Sequence, residues 1–323
     1  SKPIEGKYDM SFQVQLPDEW DSNLAKKNIG ISAFVETDRC NPAWIDKCNE
    51  MDAVIVPSTF TKTVAKRSGN LITPIYVIPE WYNEKIDNEN ITPIAIKPSP
   101  KFNFLMIGTI TGRSANNDRK NLFYGIKWFC EKFKDNKKVG LVLKTSYGRG
   151  TTIDKKMTTD TIENILNEVR TGKFPKVNIL HGNMTQEEIA SIYKHKKINC
   201  LLAPTRGEGY GLPIIEAAAS GMPVVATGWS GHTDFLEDGY YTKLDYSLKA
   251  ISEDRVDSRI FIKGTRWASI DELDFKQKLQ KVVDNYQLHL NKASKLQKNI
   301  KKNFSKPSVI RAYNSLYEKL KGD

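Results

Sequence analysis

Residues 201–236 read LLAPTRGEGYGLPIIEAAASGMPVVATGWSGHTDFL, a glycine-rich loop and a short helical stretch between apolar runs. The first run, Ile198–Ala203, ends just before the loop, and the second is Val224–Thr227. Pro213 suits the start of a helix, and Gly221 suits the residue that follows one. The order strand, loop, helix, strand predicts a unit of parallel sheet, whose ligands bind at the carboxyl ends of the strands.

The loop itself predicts an anion site. Gly207, Gly209 and Gly211 allow its backbone to approach a ligand closely, and the unpaired N–H groups of the following helix favour negative charge. A diphosphate suits such a site.

Two carboxylates flank this loop. Glu208 lies five residues before Pro213, and Glu216 lies three residues after it, about one helical turn along. Two acceptors beside a phosphate site predict recognition of hydroxyls on a ribose and a sugar. The alternative is structural, with Glu216 complementing the helix dipole and Glu208 a solvated turn residue.

Residues 207–227, GEGYGLPIIEAAASGMPVVAT, resemble the motif of retaining GT-B glycosyltransferases, in particular glycosyltransferase family 4. That motif has two glutamates eight positions apart, a Gly-aromatic-Gly-Leu-Pro segment between them, and Gly-x-Pro-Val-Val after a helix of small residues; all are filled here. The resemblance implies an α/β protein of two facing Rossmann-like domains with parallel sheets. It also implies that Glu208 holds the sugar hydroxyls of a nucleotide sugar and that Glu216 holds its ribose. The backbone contacts to the donor would come from Gly209, Tyr210, Gly211 and Leu212.

Length and composition fit this fold class. The chain has 323 residues, 39% of them hydrophobic and 27% charged, which is ordinary for a globular protein of about two domains. No apolar run approaches the roughly 20 residues of a membrane span. The sequence starts at Ser1 without a signal-like segment, although an upstream segment is compatible with the missing methionine. Four scattered cysteines predict reduced thiols, and the default location is the cytoplasm or the inner face of its membrane.

The net charge of +11 is unevenly distributed. Residues 1–100 hold 11 basic and 14 acidic side chains, whereas residues 276–323 hold 12 basic and 3 acidic ones. The basic end indicates either a solvated helical face or attraction to an anionic membrane surface or a charged acceptor. No motif for binding nucleic acid accompanies it, so no nucleic acid partner is predicted.

The amino-terminal third reads as alternating strands and helices. Strands are predicted at residues 8–16, 29–35, 53–56 and 75–78, with a helix at residues 43–50. The stretches DAVIVPSTFTKTVAKRSG and PIYVIPEWYN resemble the second half of the family's acceptor domain. The first strand and glycine-rich loop of that domain are not recognised, so the chain reads as starting midway through it. Either the fold is a reduced version of the acceptor domain, or an upstream segment completes it.

The prolines of residues 90–101 predict a linker between two domains. We therefore expect an acceptor-side domain over residues 1–98 and a donor-binding domain over residues 99–303. By resemblance, the last helix, within residues 304–323, packs back on the acceptor side. Helices are also expected at residues 122–134 and 159–171.

Basic residues for the diphosphate follow the first strand of the donor domain. The family has Gly-Arg here and then Lys-Asn; this chain has Gly108-Thr109 and Lys120-Asn121, so the resemblance assigns Lys120. Thr109 stands where the arginine usually is, which leaves Arg113 or Arg119 to replace it. Such cations stabilise the negative charge of a departing diphosphate. Lys144, at the end of the next predicted strand, either faces the same crevice or is a surface lysine.

Glu36 stands where many family members have a histidine near the reacting sugar, in the stretch Val35-Glu36-Thr37-Asp38. A carboxylate is not equivalent to an imidazole, so the sugar specificity of those members does not transfer. Glu36 is also the one candidate, although a remote one, for the second catalytic carboxylate that a double displacement needs. The alternative is that Thr37 and Asp38 simply cap the next turn.

Taken together, the sequence predicts a retaining, metal-independent hexosyltransferase. It would move a hexose from a UDP- or GDP-sugar to a hydroxyl of a sugar, lipid-linked or protein acceptor, in surface polysaccharide or glycoconjugate synthesis. No Asp-x-Asp pair of the type used by metal-dependent enzymes is present, and no other cofactor is expected. The alternatives are a non-catalytic nucleotide-sugar binding protein of the same fold and a nucleotide-sugar 2-epimerase. Oligomeric state is not predicted.

Overall fold

The computed structural model describes residues 6–109, 114–146, 150–237 and 239–322. Within these residues the strands form a four-stranded sheet, a six-stranded sheet and a two-stranded hairpin. The predicted α/β fold with parallel sheets is confirmed. The strands are β1 Tyr8–Val14, β2 Ala25–Ile31, β3 Ala53–Val56, β4 Ile75–Val77, β5 Phe102–Ile107, β6 Val139–Thr145, β7 Lys176–His181, β8 Ile198–Ala203, β9 Val224–Thr227, β10 Thr242–Leu244, β11 Tyr246–Ala250 and β12 Arg266–Ile270.

Helices cover both sheets and alternate with the parallel strands. They are α1 Pro42–Asn49, α2 Thr59–Ser68, α3 Leu122–Lys132, α4 Thr152–Val169, α5 Gln186–Tyr193, α6 Leu212–Ser220, α7 Glu272–Asp284, α8 Tyr286–Asn303 and α9 Lys306–Gly322.

The amino-terminal sheet has the order β1-β2-β3-β4, with all neighbours parallel. Its central strand β3 is buried throughout, as expected for a strand covered on both faces, whereas β1 is a largely exposed edge. The second strand was predicted at residues 29–35 but lies four residues earlier. The chain leaves the sheet after Ile31, and Phe34 then adopts a left-handed conformation with φ of 55°.

The six-stranded sheet has the order β10-β9-β8-β5-β6-β7, again all parallel. Read from β7, this is the 3-2-1-4-5-6 order of a doubly wound nucleotide-binding fold. The order reverses between β5 and β8, so a crevice opens where these two strands end. The loop before α6 begins at that point.

The prediction of a helix at residues 159–171 was wrong about its start, since α4 spans Thr152–Val169. It begins at Thr152, because Thr151 and Asp154 form a capping box that satisfies the first backbone N–H groups. A second capping box, formed by Thr185 and Glu188, begins α5.

The two lobes, one around each sheet, contact each other at both ends. Val309, Leu316 and Leu320 of α9 pack on one face of the amino-terminal sheet, against Ile29 and Ile55. On its other face, the chain between β11 and β12 contributes Ile251 and Phe261, which pack with Trp44 and its neighbours. The division into domains at residues 98 and 303 stays a prediction, although residues 90–101 contain no helix or strand.

Candidate functional site

The candidate site lies where β5 and β8 end, at the reversal of strand order. Gly108 follows β5, and its backbone N–H donates to the carbonyl of Lys144 on β6. A Cβ on Gly108 would lie 3.2 Å from Cγ of Lys120. The absence of a side chain at residue 108 therefore leaves room for the aliphatic stem of Lys120.

Lys120, Arg119 and Glu208 form an ion-pair network in this crevice. Nζ of Lys120 lies 2.7 Å from Oε1 of Glu208, and Nη1 of Arg119 lies 3.1 Å from Oε2. Nη1 of Arg119 also donates to the carbonyl of Gly207 at 2.8 Å. The Glu208 side chain is 9% exposed, so its two acceptor oxygens are held by two cations away from bulk water.

Charge explains why a buried carboxylate is stable here. Burial by itself raises the pKa of Glu208, but the positive charges of Lys120 and Arg119 outweigh it and lower the pKa to about 2. Glu208 is therefore ionised at every physiological pH, and its alternative assignment as a solvated turn residue is wrong.

Glu36 reaches this network from the amino-terminal lobe. Its Oε1 lies 3.3 Å from Nε of Arg119, so the Arg119 guanidinium bridges the carboxylates of Glu36 and Glu208. We call Glu36, Arg119, Lys120 and Glu208 the Glu208 cluster. Its four formal charges sum to zero. Of the two arginines considered as replacements for Thr109, Arg119 is in the cluster; Arg113 lies outside the described residues, and Thr109 is exposed.

The loop glycines allow close approach of protein backbone. A Cβ on Gly207 would lie 2.2 Å from the carbonyl oxygen of Glu36, and one on Gly209 would lie 3.0 Å from Cβ of Ala33. Contact with the amino-terminal lobe therefore requires glycine at both positions, independently of any ligand. Gly211 has φ of 103° at the start of α6, where a left-handed residue favours glycine.

Helix α2 docks on the same loop. Ser58 Oγ, at its amino end, donates to the carbonyl of Gly209 at 2.7 Å. Thr59 Oγ1 donates to the carboxylate of Asp234 at 2.7 Å, and the backbone N–H of Thr59 donates to it as well. Asp234 therefore caps α2 of the other lobe.

Behind the loop, Ser230 and His232 fix the backbone of Glu208. Ser230 Oγ accepts the N–H of Glu208 at 2.9 Å and lies 3.3 Å from Nδ1 of His232. Nε2 of His232 lies 2.6 Å from the carbonyl of Thr227, and burial lowers the pKa of this imidazole. A neutral ring with Nε2 protonated fits these contacts.

Glu216 lies in a different environment, on α6. The hydroxyl of Tyr193 donates to Oε2 of Glu216 at 3.0 Å. Burial raises the pKa of Glu216 to about 7, against the hydrogen bonds from Tyr193 and from the backbone of Asn83. No described cation lies within ion-pair distance of its carboxylate.

An open cleft of about 380 Å³ lies in front of Glu216 and between the two lobes. Its apolar wall includes Met184, Ile189 and Leu212 on one side and the 40% exposed Trp81 on the other. Lys306 also lines the cleft, and its Nζ lies 5.9 Å from the centroid of the Trp81 ring. We call this the Glu216 cleft. A carboxylate beside apolar and aromatic walls suits a ligand with hydroxyls next to a flat ring.

The remaining predicted residues are placed as follows. Lys144 is 8% exposed and donates from Nζ to the carbonyl of Gly182 at 2.7 Å, so it is not a surface lysine. Tyr210 is 3% exposed, packs on Phe235 and donates its hydroxyl to the carbonyl of Glu80 at 2.7 Å. Its ring belongs to the core. Leu212 is 41% exposed and faces the Glu216 cleft.

Sequence reasoning missed the role of Tyr193 at Glu216, the Ser230 and His232 support of Glu208, and Trp81 in the cleft. Trp81 lies in the loop that follows β4, and an aromatic residue in that loop was the available signal. All four cysteines are free and buried, as expected. No helix in the described ranges is long and apolar enough to cross a membrane.

Comparison with known proteins supports the predicted resemblance. The model of a family described as "Family 4 Glycosyltransferase in conflict systems" matches residues 154–312, which include both glutamates of the motif. No curated protein matches the chain by sequence.

Several solved structures share the fold at low sequence identity. Sucrose-phosphate synthase from Thermosynechococcus elongatus has a TM-score of 0.67 and 15% identity, over 98% of this chain and 74% of that one. The pneumococcal O-GlcNAc transferase GtfA, solved with UDP and GlcNAc, has a TM-score of 0.62 and 15% identity, over 92% and 53% of the two chains. Anabaena Alr3699/HepE, solved with UDP and glucose, has a TM-score of 0.59 and 13% identity, over 92% and 72%.

The present chain thus spans about half of the pneumococcal protein and about three quarters of the synthase. At these identities the structures establish the fold alone. The chain has the GT-B fold, and its resemblance to glycosyltransferase family 4 is confirmed over residues 154–312.

Proposed function

We propose that the protein is a retaining glycosyltransferase that transfers a hexose from a nucleoside diphosphate sugar to an acceptor hydroxyl. One observation carries this proposal. Glu208 and Glu216 lie at the carboxyl end of β8, at the reversal of strand order, with Lys120 and Arg119 beside the first and an open cleft before the second. Cations, hydroxyl acceptors and a cleft together match the parts of a nucleotide sugar.

In the proposed complex the diphosphate lies between Lys120, Arg119 and the amides of Gly211 and Leu212 at the start of α6. The first amides of a helix lack partners within it and carry partial positive charge. The ribose hydroxyls donate to Glu216, and the base lies in the Glu216 cleft against Trp81. UDP and GDP remain equal candidates. The structures in complex with UDP support a nucleotide donor, since they share this fold.

The hexose lies next to Glu208, whose carboxylate accepts sugar hydroxyls. During transfer the bond between the anomeric carbon and the diphosphate oxygen breaks, and a bond to the acceptor oxygen forms on the same face. The acceptor proton passes to the leaving diphosphate, which balances the reaction without an enzyme nucleophile. Lys120 and Arg119 stabilise the charge that develops on that diphosphate. A metal is not part of this proposal because these cations serve that role.

Glu36 is an unsuitable nucleophile in the described state because its carboxylate is paired with Arg119. We propose that it tunes the charge of the site. A double displacement would require a second carboxylate close to the anomeric carbon on the other face of the sugar, by analogy with retaining glycosidases. The Glu208 cluster therefore fits a front-face mechanism, in which the acceptor attacks on the side that the diphosphate leaves, better than a double displacement.

The acceptor is a sugar, lipid-linked or protein hydroxyl. The description of the matching family mentions conflict systems, so synthesis of surface polysaccharide or glycoconjugate is only one setting for the activity. We place the enzyme in the cytoplasm, with its basic carboxyl-terminal helices as the surface for an anionic membrane.

The test is a thermal-shift screen against UDP, GDP, ADP and their sugar conjugates, with wild type and Glu216→Ala. We expect stabilisation by one nucleotide, its loss in the variant, and slow release of nucleoside diphosphate from the matching sugar donor. Tyr317→Ala, which removes an exposed side chain from α9, is the control.

Three results distinguish the proposal from its alternatives. Binding of a nucleotide sugar without any turnover would favour a non-catalytic binding protein. Conversion of the donor to an epimer would favour an epimerase. No stabilisation by any nucleotide would overturn the proposed function.

A further inference from the structure

A second cleft opens beside the Glu208 cluster, and none of the cluster residues lines it. Its volume is about 490 Å³, large enough for a small ligand. Its lining includes Asn121, Tyr124 and Arg206 together with Lys249 and Glu272 from the hairpin side. Nothing in the proposed transfer reaction uses these side chains.

Arg206 is a buried cation in the wall of this cleft. It is 7% exposed, and its guanidinium lies between two aromatic rings, 5.9 Å from the centroid of Tyr124 and 5.5 Å from that of Trp267. Nε donates to the carbonyl of Asp118 at 3.2 Å, and Nη2 donates to that of Ala115 at 3.4 Å.

Neither acceptor of Arg206 is a carboxylate. Within the described residues no carboxylate lies at ion-pair distance from this guanidinium, and Nη1 has no hydrogen-bond partner. Burial lowers the pKa of Arg206, against the attraction of the Asp118 carboxylate. A buried guanidinium without a paired anion is costly unless something else pairs with it.

Asn121 is a second, independent polar group without a partner. It is 1% exposed, and neither Oδ1 nor Nδ2 of its amide has a hydrogen-bond partner among the described residues. It precedes α3 with φ of 54°, and its side chain does not cap that helix. Buried amides in native proteins are nearly always hydrogen-bonded, so this side chain calls for a partner in the cleft.

The charges around the cleft favour an anion. Arg206 and the exposed Lys249 are its cations, and Lys249 has no ion pair in the part of the chain that is described. Glu272, the carboxylate of the lining, is paired with Lys276. The carboxylate of Asp118, which lies near Arg206, accepts the backbone N–H groups of Lys120 and Leu122.

We propose that this cleft is a binding site for a small phosphate monoester, held by Arg206, Lys249 and the amide of Asn121. A phosphate monoester carries about −1.5 to −2 charges at neutral pH and several acceptor oxygens, which suit a guanidinium fork and an amide donor. The site is separate from the donor site, although its wall is formed by the loops that also carry Arg119, Lys120 and Glu208.

The test is isothermal titration of the whole chain with ribose 5-phosphate, with ribose as the uncharged comparison. We expect binding of the phosphate ester and none of ribose. Arg206→Gln and Asn121→Gly should each weaken binding at least tenfold, and Lys249→Ala at least threefold. Glycine is the matched choice at residue 121 because it accepts the positive φ and removes only the amide. If Arg206→Gln fails to fold, the other two variants decide.

Two variants separate this site from others. Lys120→Ala removes a cation of the proposed donor site, and Lys26→Ala removes an exposed lysine of the amino-terminal lobe. Both should bind ribose 5-phosphate as the wild type does. Equal binding of ribose, loss of binding in Lys120→Ala, unchanged binding in Lys249→Ala and Asn121→Gly, or no binding at all would each overturn the proposal.

Discussion

Glu208 and Glu216 stand eight positions apart in one motif, yet the fold gives them opposite electrostatic surroundings. Glu208 is held between two cations, which lower its pKa to about 2. Glu216 faces a tyrosine hydroxyl and an apolar cleft, where burial raises its pKa to about 7. One carboxylate is permanently charged, and the other titrates near neutrality. The two glutamates of the motif therefore differ in charge state as well as in position.

The largest effect on activity should come from removing a cation beside Glu208. Lys120→Ala should lower turnover of the donor about 10²–10³-fold, because one cation that stabilises the leaving diphosphate is lost. Steady-state release of nucleoside diphosphate measures it. Lys134→Ala, an exposed lysine just beyond α3, is the control. A loss below tenfold would show that the diphosphate lies elsewhere.

A smaller effect, on nucleotide affinity, should come from removing an aromatic wall of the Glu216 cleft. Trp81→Ala should weaken binding of the nucleotide about tenfold, since stacking of a base on an aromatic ring contributes about 1–3 kcal/mol. Titration calorimetry compares it with Trp81→Phe, which should retain most of the affinity. If Trp81→Ala binds as wild type while Glu216→Ala does not bind, the base lies away from this wall of the cleft.

Because the pKa of Glu216 lies near neutrality, nucleotide affinity should depend on pH, with a change no larger than that of Trp81→Ala. Ribose hydroxyls donate to an ionised carboxylate, so affinity should fall as pH decreases through about 7 and Glu216 is protonated. Between pH 8 and pH 6 we expect a loss of up to about tenfold. The phosphates of the ligand also titrate, so Glu216→Gln is measured in parallel. Equal slopes for both proteins would remove Glu216 as the titrating group.

The smallest predicted effect is a gain in nucleotide affinity. Glu36→Gln should strengthen nucleotide binding about threefold, because Arg119 then has one carboxylate fewer and the cluster becomes positive. Glu50→Gln, at an exposed ion pair with Lys47, is the matched control for loss of a surface charge. Weaker binding in Glu36→Gln would show that this carboxylate contacts the donor or orders Arg119 for it.

The sequence alone predicted β8, β9 and both ends of the helix α6 between them. Their signals are local: a buried apolar run, a proline at a helix start and a glycine after a helix. Family resemblance also assigned Lys120 and Glu208 to one site, although it did not predict that they form an ion pair. Each of these predictions depends on neighbouring residues or on a family motif, and none depends on contacts between distant parts of the chain.

The partners of those motif residues could not be predicted. Asp234 caps a helix of the other lobe, Tyr193 bonds to Glu216 across 23 residues, and Glu36 meets Arg119 across the lobes. Such contacts depend on how lobes and helices pack, which residue spacing does not encode. The early start of α4 is different, since its capping residues Thr151 and Asp154 were visible in the sequence.

Helix α9 also has a consequence for the order of synthesis. The strands of the amino-terminal sheet leave the ribosome before the rest of the described chain, but Val309, Leu316 and Leu320, which cover Ile29 and Ile55, lie in the last described helix. Until then one face of that sheet lacks its apolar cover, so the amino-terminal lobe is synthesised before the six-stranded sheet but completed after it. Cutting the chain at residues 90–101 would therefore not yield an independent amino-terminal lobe.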